Sequence, residues 1–159
     1  MARTPELVEF RPEDSLAVAQ IVRVMTDLTA AQKGWINLYP GIHPDDEPPT
    51  PSIFGSLFSG TGPPVPVCTW VAPQASQKPP HAELGILHKS GPKAVRKLEA
   101  DGITVPTGWR VLADHPKRGL VIAVDLESPH EEVLDWLMRA GAALTRIPLT
   151  GSWQAAINR

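Results

Sequence analysis

The sequence predicts an α+β fold: a mostly antiparallel four-stranded sheet with helices packed on one face. Two stretches carry that expectation. Trp109 to Leu144 reads as strand, tight turn, strand and amphipathic helix, and Val65 to Ala100 repeats the order strand, loop, strand, helix. A third observation adds an N-terminal helix, because Val18, Ile21, Val22, Met25 and Leu28 fall at helical spacing. The two strand-strand-helix units share order but no residue identity, so a repeat rests on order alone.

In chain order, residues 1–12 read as an extended lead-in. Asp14 or Ser15 suits the N-cap of the first helix, which runs to about Gln32 with Gly34 as its stop. Val65 to Val71 reads as a strand whose Pro66 belongs near an edge. Pro73 to Pro80 is a loop, and Ala82 to His88 a second strand with Ala82, Leu84 and Ile86 on one side. Gly91-Pro92 then opens a short helix, Lys93 to Ala100, which stops at Gly102.

The second unit is sharper. Trp109, Val111 and Ala113 alternate with Arg110, Leu112 and Asp114, as a half-buried strand requires. Pro116 and Gly119 supply turn chemistry, and Leu120 to Val124 is a continuous apolar run of the kind that sits inside a sheet. Ser128, Pro129 and Glu131 spell a capping box before a helix whose apolar face holds Val133, Leu134, Trp136, Leu137, Ala140 and Leu144. The tail from Gly151 to Arg159 reads as a last turn capped by Ser152, with Trp153 and Ile157 packed inward.

Between the first helix and the first strand, residues 34–66 lose regular patterning and form a long proline-rich loop. Connections beyond about 15 residues are uncommon in compact domains and are usually functional or disordered. Disordered segments are poor in aromatic and large aliphatic residues. This one carries Trp35, Ile36, Leu38, Tyr39 and Ile42 before its proline block, and Ile53, Phe54, Leu57 and Phe58 within or after it. It therefore reads as an ordered excursion with two apolar anchors, which plug the core, roof a pocket or meet a partner.

Composition excludes several classes. At 159 residues, 42% hydrophobic and 20% charged, the chain is expected to form one soluble domain over residues 1–159. A formal net charge of -2 creates no global field for nucleic acid or an anionic bilayer. No apolar stretch approaches the roughly 20 residues of a membrane span, and the first residues lack the apolar segment of a signal peptide. Cys68 is the only cysteine, so no internal disulfide can form, and a cytoplasmic location is expected. Within its apolar strand it reads as a small buried hydrophobe.

Candidate chemistry is sparse. No nucleophile elbow, phosphate-binding glycine loop or zinc-ligand pair is present, so no catalytic residue, cofactor or metal is expected. His43, Asp45, Asp46 and Glu47 cluster in the loop without a ligand-like spacing. Asp114, His115 and Arg118 concentrate charge on a turn, where the carboxylate could orient the imidazole at the rim of a pocket. Ser90, Gly91 and Lys93 stand at a helix start, whose free N–H groups and partial positive charge favour an anion. The segment LHKSGPKAVRKLEADGI resembles the second half of a helix-hairpin-helix motif through Gly91, Pro92, Lys93, Ala94 and Leu98. Lys89 and Ser90 stand where that family has glycine and an apolar residue, and Pro79 and Pro80 occupy the place of its preceding helix. The resemblance implies DNA contact at Lys89 to Lys97.

These residues lead to a first expectation of a non-catalytic binding protein. It would use the loop 34–66, through Trp35, Tyr39, Phe54 and Phe58, to hold a protein partner or a second copy as a homodimer. A small-molecule pocket or enzyme roofed by that loop is the alternative, and weak nucleic-acid binding is the third. Trp70, Trp109, Trp136 and Trp153 lie in regular elements and are expected in the core.

Overall fold

The computed structural model describes residues 3–47 and 62–159. Helix α1 (Ser15–Ala31) begins where the sequence places a carboxylate. Asp14 Oδ1 accepts the backbone N–H groups of Leu16 and Ala17 at 3.2 Å each. The helix ends at about Gln32 as expected, but the stop is Gln32 itself and not Gly34: at φ 52° it takes the left-handed conformation that closes the helix. Helix α2 (Ala94–Ala100) and helix α3 (His130–Ala143) follow the predicted spans closely.

The capping box before α3 does not form. Pro129 holds the cap position with no side-chain hydrogen bond, and the Ser128 hydroxyl instead accepts the Trp109 indole N–H at 2.8 Å. A buried indole donor needs an acceptor more than an exposed helix end does, because water can satisfy the helix end.

Among the described residues the strands are β1 (Glu6–Phe10), β2 (Trp35–Ile42), β3 (Val67–Val71), β4 (Ala82–Leu87), β5 (Arg110–His115), β6 (Gly119–Val124) and β7 (Leu149–Asn158). They form one antiparallel sheet of seven strands in the order β1-β7-β2-β3-β4-β6-β5. The fold is therefore α+β, but the four-stranded sheet expected from the sequence is corrected to seven. The lead-in is β1, the start of the long loop is β2, and the supposed last turn is β7. Each gains its strand character from neighbours. β7 lies between β1 and β2, pairing with both ends of a segment it follows by more than a hundred positions.

Pro40 hid β2 because a proline cannot donate to a ladder. It is tolerated where the pairing with β7 shifts register between Pro40 and Ile42. At the β5–β6 turn, Gly119 has φ 77°, and a Cβ there would strike the Ile86 carbonyl on β4. Glycine is required at that position on both counts.

One face of the sheet is covered. Phe10, Trp153, Ala155, Ile157, Ile36, Leu38, Cys68, Trp70, Leu84, Ile86, Leu120 and Ile122 are all buried there, with Ile21, Met25 and Leu28 of α1 and Val133, Leu137 and Ala140 of α3 in the same core. The Cys68 thiol is fully buried, which pushes its pKa up to about 12 and removes it from nucleophilic chemistry. All four tryptophans expected inside, Trp70, Trp109, Trp136 and Trp153, are buried. No helix among the described residues is long and apolar enough to cross a membrane.

Candidate functional site

Side chains alternate along a strand, so whatever is not in the covered layer points to the other face. The cross-strand registers arrange that open face in rows. One row holds Asn158, Trp35, Val71, Glu83, Ala123 and Arg110. The next holds Leu7, Ala156, Asn37, Thr69, Gly85, Val121 and Ala113. A third carries Glu9, Gln154 and Tyr39 on one side and Val67 with Leu87 on the other.

The middle row is low. It has Ala156, Ala113 and Gly85, and a Cβ placed on Gly85 would meet nothing within 4 Å. Thr69 Oγ1 donates to Asn37 Oδ1 at 2.8 Å, so the polar pair at its centre is satisfied internally. The flanking rows stand higher through Trp35 and Val71 on one side and Tyr39, Val67 and Leu87 on the other. Two residues along a strand separate neighbouring rows, so the two walls are roughly 13 Å apart.

This face gathers exposed apolar surface. Of the seven large apolar side chains exposed in the described chain, Leu7 (59%), Trp35 (44%) and Leu87 (42%) all stand on it. Leu16, Val111, Leu112 and Leu126 are scattered over a helix start, the edge strand β5 and a loop. Single exposed apolar residues need no explanation, whereas a grouped set on one face does.

The expected contact residues divide. Trp35 and Tyr39 are both on β2 and both on the open face, one in each wall. They belong to a strand, not to a loop. Phe54 and Phe58 lie outside the described residues. The outward apolar positions Leu7, Val67, Val71 and Leu87 were missed, although β4 carries the signal: Glu83, Gly85 and Leu87 alternate with buried Ala82, Leu84 and Ile86.

The two polar candidates turn out to be one structure. Asp114 Oδ1 and Oδ2 accept the backbone N–H groups of Ala94 and Val95, at 2.9 and 3.1 Å. The anion at the start of α2 is thus the protein's own carboxylate, delivered from β5. Lys93 precedes the helix at φ 63°, and Gly91 sits at φ 84°. His115 Nδ1 accepts the Lys117 N–H at 3.1 Å, which folds the imidazole back on its own turn, and Arg118 is exposed beside it. Asp114 therefore does not orient His115.

Ser90 serves a buried histidine. Its N–H donates to His88 Nδ1 at 3.2 Å and its hydroxyl does so at 2.7 Å, which leaves the ring proton on Nε2. That Nε2–H has no acceptor among the described residues. Burial holds the His88 pKa below its usual value near 6.5, with Asp114 pulling it up and Lys97 pushing it down. The neutral ring is the folded form, so an unfolded chain takes up a proton more readily. The stability this contributes is present above about pH 6.5 and is lost as pH falls below it. His130, packed edge-on against Trp70, is lowered by burial in the same direction. The unfolding midpoint is expected to drop between about pH 7 and pH 5, and His88→Gln to flatten part of that slope. Urea titrations of both proteins across that range check it.

Three clefts carry no reactive constellation. One of about 600 Å³ is lined by Arg3, Glu6, Trp35, Asn158 and Arg159, and one of about 360 Å³ by His81, Arg110, Asp125 and Glu127 among others. A third, about 100 Å³, lies beside Trp70 and His130. None of the three is lined by Asp114, His115 or Arg118, the residues expected at a pocket rim. No group of three or more His, Cys, Asp or Glu side chains among the described residues is placed to hold a metal ion. The first two clefts lie at opposite ends of the Trp35 row and mark where charge flanks the open face.

No protein-family model matches the chain, and no match is found among curated proteins or solved structures.

Proposed function

We propose that the chain is a non-catalytic binding protein that works through the open face of its sheet, and that the face is occupied by a second copy. The observation that carries the reading is the grouping of Leu7, Trp35 and Leu87, with half-buried Tyr39, Val67, Val71 and Val121, on the one face no helix of the described chain covers. Exposed tryptophan and tyrosine supply large contact area at low entropic cost and dominate many interfaces. A second copy suits the face because its charges are disposed in opposite signs toward its two ends. Arg3 and Arg159 flank Trp35, while Asp125 and Glu127 flank Arg110 at the far end of the same row. A lone buried thiol fits a reducing, cytoplasmic setting for such a protein.

Seven strands about 4.8 Å apart and about five residues long give a footprint of roughly 500 Å², at the small end of specific interfaces. The expected association is therefore micromolar and reversible. Sedimentation of the purified protein should show a concentration-dependent dimer, and Trp35→Ala should weaken it by at least about tenfold without lowering the unfolding midpoint. A monomer at every accessible concentration defeats the reading.

A further inference from the structure

One end of the sheet collects cations that the sequence keeps apart. β4 closes on Leu87 and is soon followed by Lys89, while Lys93 stands just before α2 and Arg96 and Lys97 lie within it. The β5–β6 turn contributes Lys117 and Arg118. Two contacts hold these segments together. Asp114, near the end of β5, accepts the N–H groups of Ala94 and Val95 at 2.9 and 3.1 Å. Gly119 lies so close to β4 that a Cβ on it would strike the Ile86 carbonyl and stand 3.2 Å from Leu87 Cδ2. Three residues of chain reach at most about 11 Å, so Lys117 stays within that distance of Asp114, beside the helix it caps.

All six basic residues are exposed, and none forms a salt bridge among the described residues. Residues 48–61, outside the described set, contain no Asp or Glu that could supply one. The acidic residues of this end are Asp114, half-buried and turned onto the helix start, and Glu99 and Asp101 toward the far end of α2. The rest of the chain holds nine basic and fourteen acidic residues, so a net charge of -2 conceals a positive end on a negative body. At physiological salt the Debye length is about 8 Å, so a partner at this end meets the local charge and not the sum.

The shape and composition of this end narrow the partner. None of the six cations lines any of the three clefts, so the surface is a ridge and not a slot for a peptide. Ala94 and Leu98 of α2 are fully buried, which leaves the helix little apolar surface to insert into a bilayer. No Trp, Tyr or Phe occurs in residues 87–102 or 114–119, so unpaired bases find nothing to stack on. What fits a ridge of ammonium and guanidinium groups without aromatic or apolar anchors is a polyanion whose charges lie on its outside. From this we infer that α2 and the β5–β6 turn form one docking surface for the phosphate backbone of a nucleic-acid duplex, independent of base sequence. The span is short enough to fall within one turn of a duplex, roughly 34 Å. Asp114 already occupies the N–H groups at the start of α2, so the phosphates meet side chains and not the helix end.

Fluorescence anisotropy with a labelled duplex of about two turns tests the surface. Six phosphate contacts give a slope of about -5 in log affinity against log salt, with micromolar binding expected at about 50 mM salt. Arg96→Gln with Lys97→Gln, and separately Lys117→Gln with Arg118→Gln, should each weaken binding at least about tenfold and reduce the slope by about two. Arg23→Gln with Lys33→Gln, exposed on α1 and just after it, should change neither. All these side chains are exposed, so the unfolding midpoints should hold. Dimerisation through the open face is expected to be unaffected by either pair, so the two readings stand or fall separately. Absence of binding at low salt overturns the surface. Loss with the α2 pair alone overturns its composite nature, because Lys117 and Arg118 then contribute nothing. Equal binding to poly-glutamate, or to vesicles rich in phosphatidylserine, overturns the assignment to a duplex.

Discussion

Trp136→Ala is expected to lower the free energy of unfolding by about 3–5 kcal/mol. The side chain is 2% exposed, and its ring meets Trp109 edge to face, with centroids 5.5 Å apart and planes at 70°. Its indole N–H donates to the Thr104 carbonyl at 2.8 Å, tying α3 to the segment between α2 and β5. Trp109 in turn donates to Ser128, so the two rings clamp both ends of the β5-β6-α3 unit. Against a total stability of about 5–15 kcal/mol, the loss is severe. Trp136→Phe keeps most of the ring contact, and Thr104 is exposed enough for water to replace the donor. It should cost only about 1 kcal/mol. Urea unfolding of the three proteins measures the series; an unshifted midpoint for Trp136→Ala would mean that this ring adds nothing to the core.

Gly141→Val should cost about 3 kcal/mol for the opposite reason, too much matter instead of too little. At Gly141, α3 packs closely on the sheet. A Cβ there would collide with Cys68 Sγ on β3 and stand 3.4 Å from Trp153 Cη2 on β7. Neither partner can retreat, since Cys68 and Trp153 are 0% and 5% exposed within the core. Pairing the substitution with Cys68→Ala opens space at the collision, so the double variant should recover about 1 kcal/mol relative to the sum of the single ones. Additivity within about 0.5 kcal/mol in that cycle would show that the sulfur is not what keeps this position small.

The two substitutions probe different kinds of information. The inward face of α3, with Trp136 on it, is legible from periodicity, because a helix repeats its environment every 3.6 residues regardless of what it packs on. The demand for glycine at 141 is not legible, since nothing local distinguishes it from alanine, and only Cys68 arriving from β3 makes it necessary. The candidate face divides in the same manner. Trp35 and Tyr39 stand out by residue type, yet their strand was hidden by Pro40 and Gly41, and their shared orientation with Leu7 and Leu87 exists only after pairing. Asp114 and the start of α2 looked like separate charged features because a carboxylate twenty positions away is not part of any local pattern.

What the sequence by itself determined is the set of elements whose signals are local. The three helices follow from apolar spacing, and the start of α1 from Asp14, whose carboxylate bonds its own neighbours. The strands β3 to β6 follow from apolar runs bounded by turn residues. Tertiary structure alone decided that β1, β2 and β7 are strands, that Ser128 serves Trp109 instead of α3, and which face of the sheet stays open. The reason is that a strand's hydrogen bonds are all made to other strands, so weakly patterned segments such as Leu149–Asn158 acquire their conformation only from partners distant in the chain.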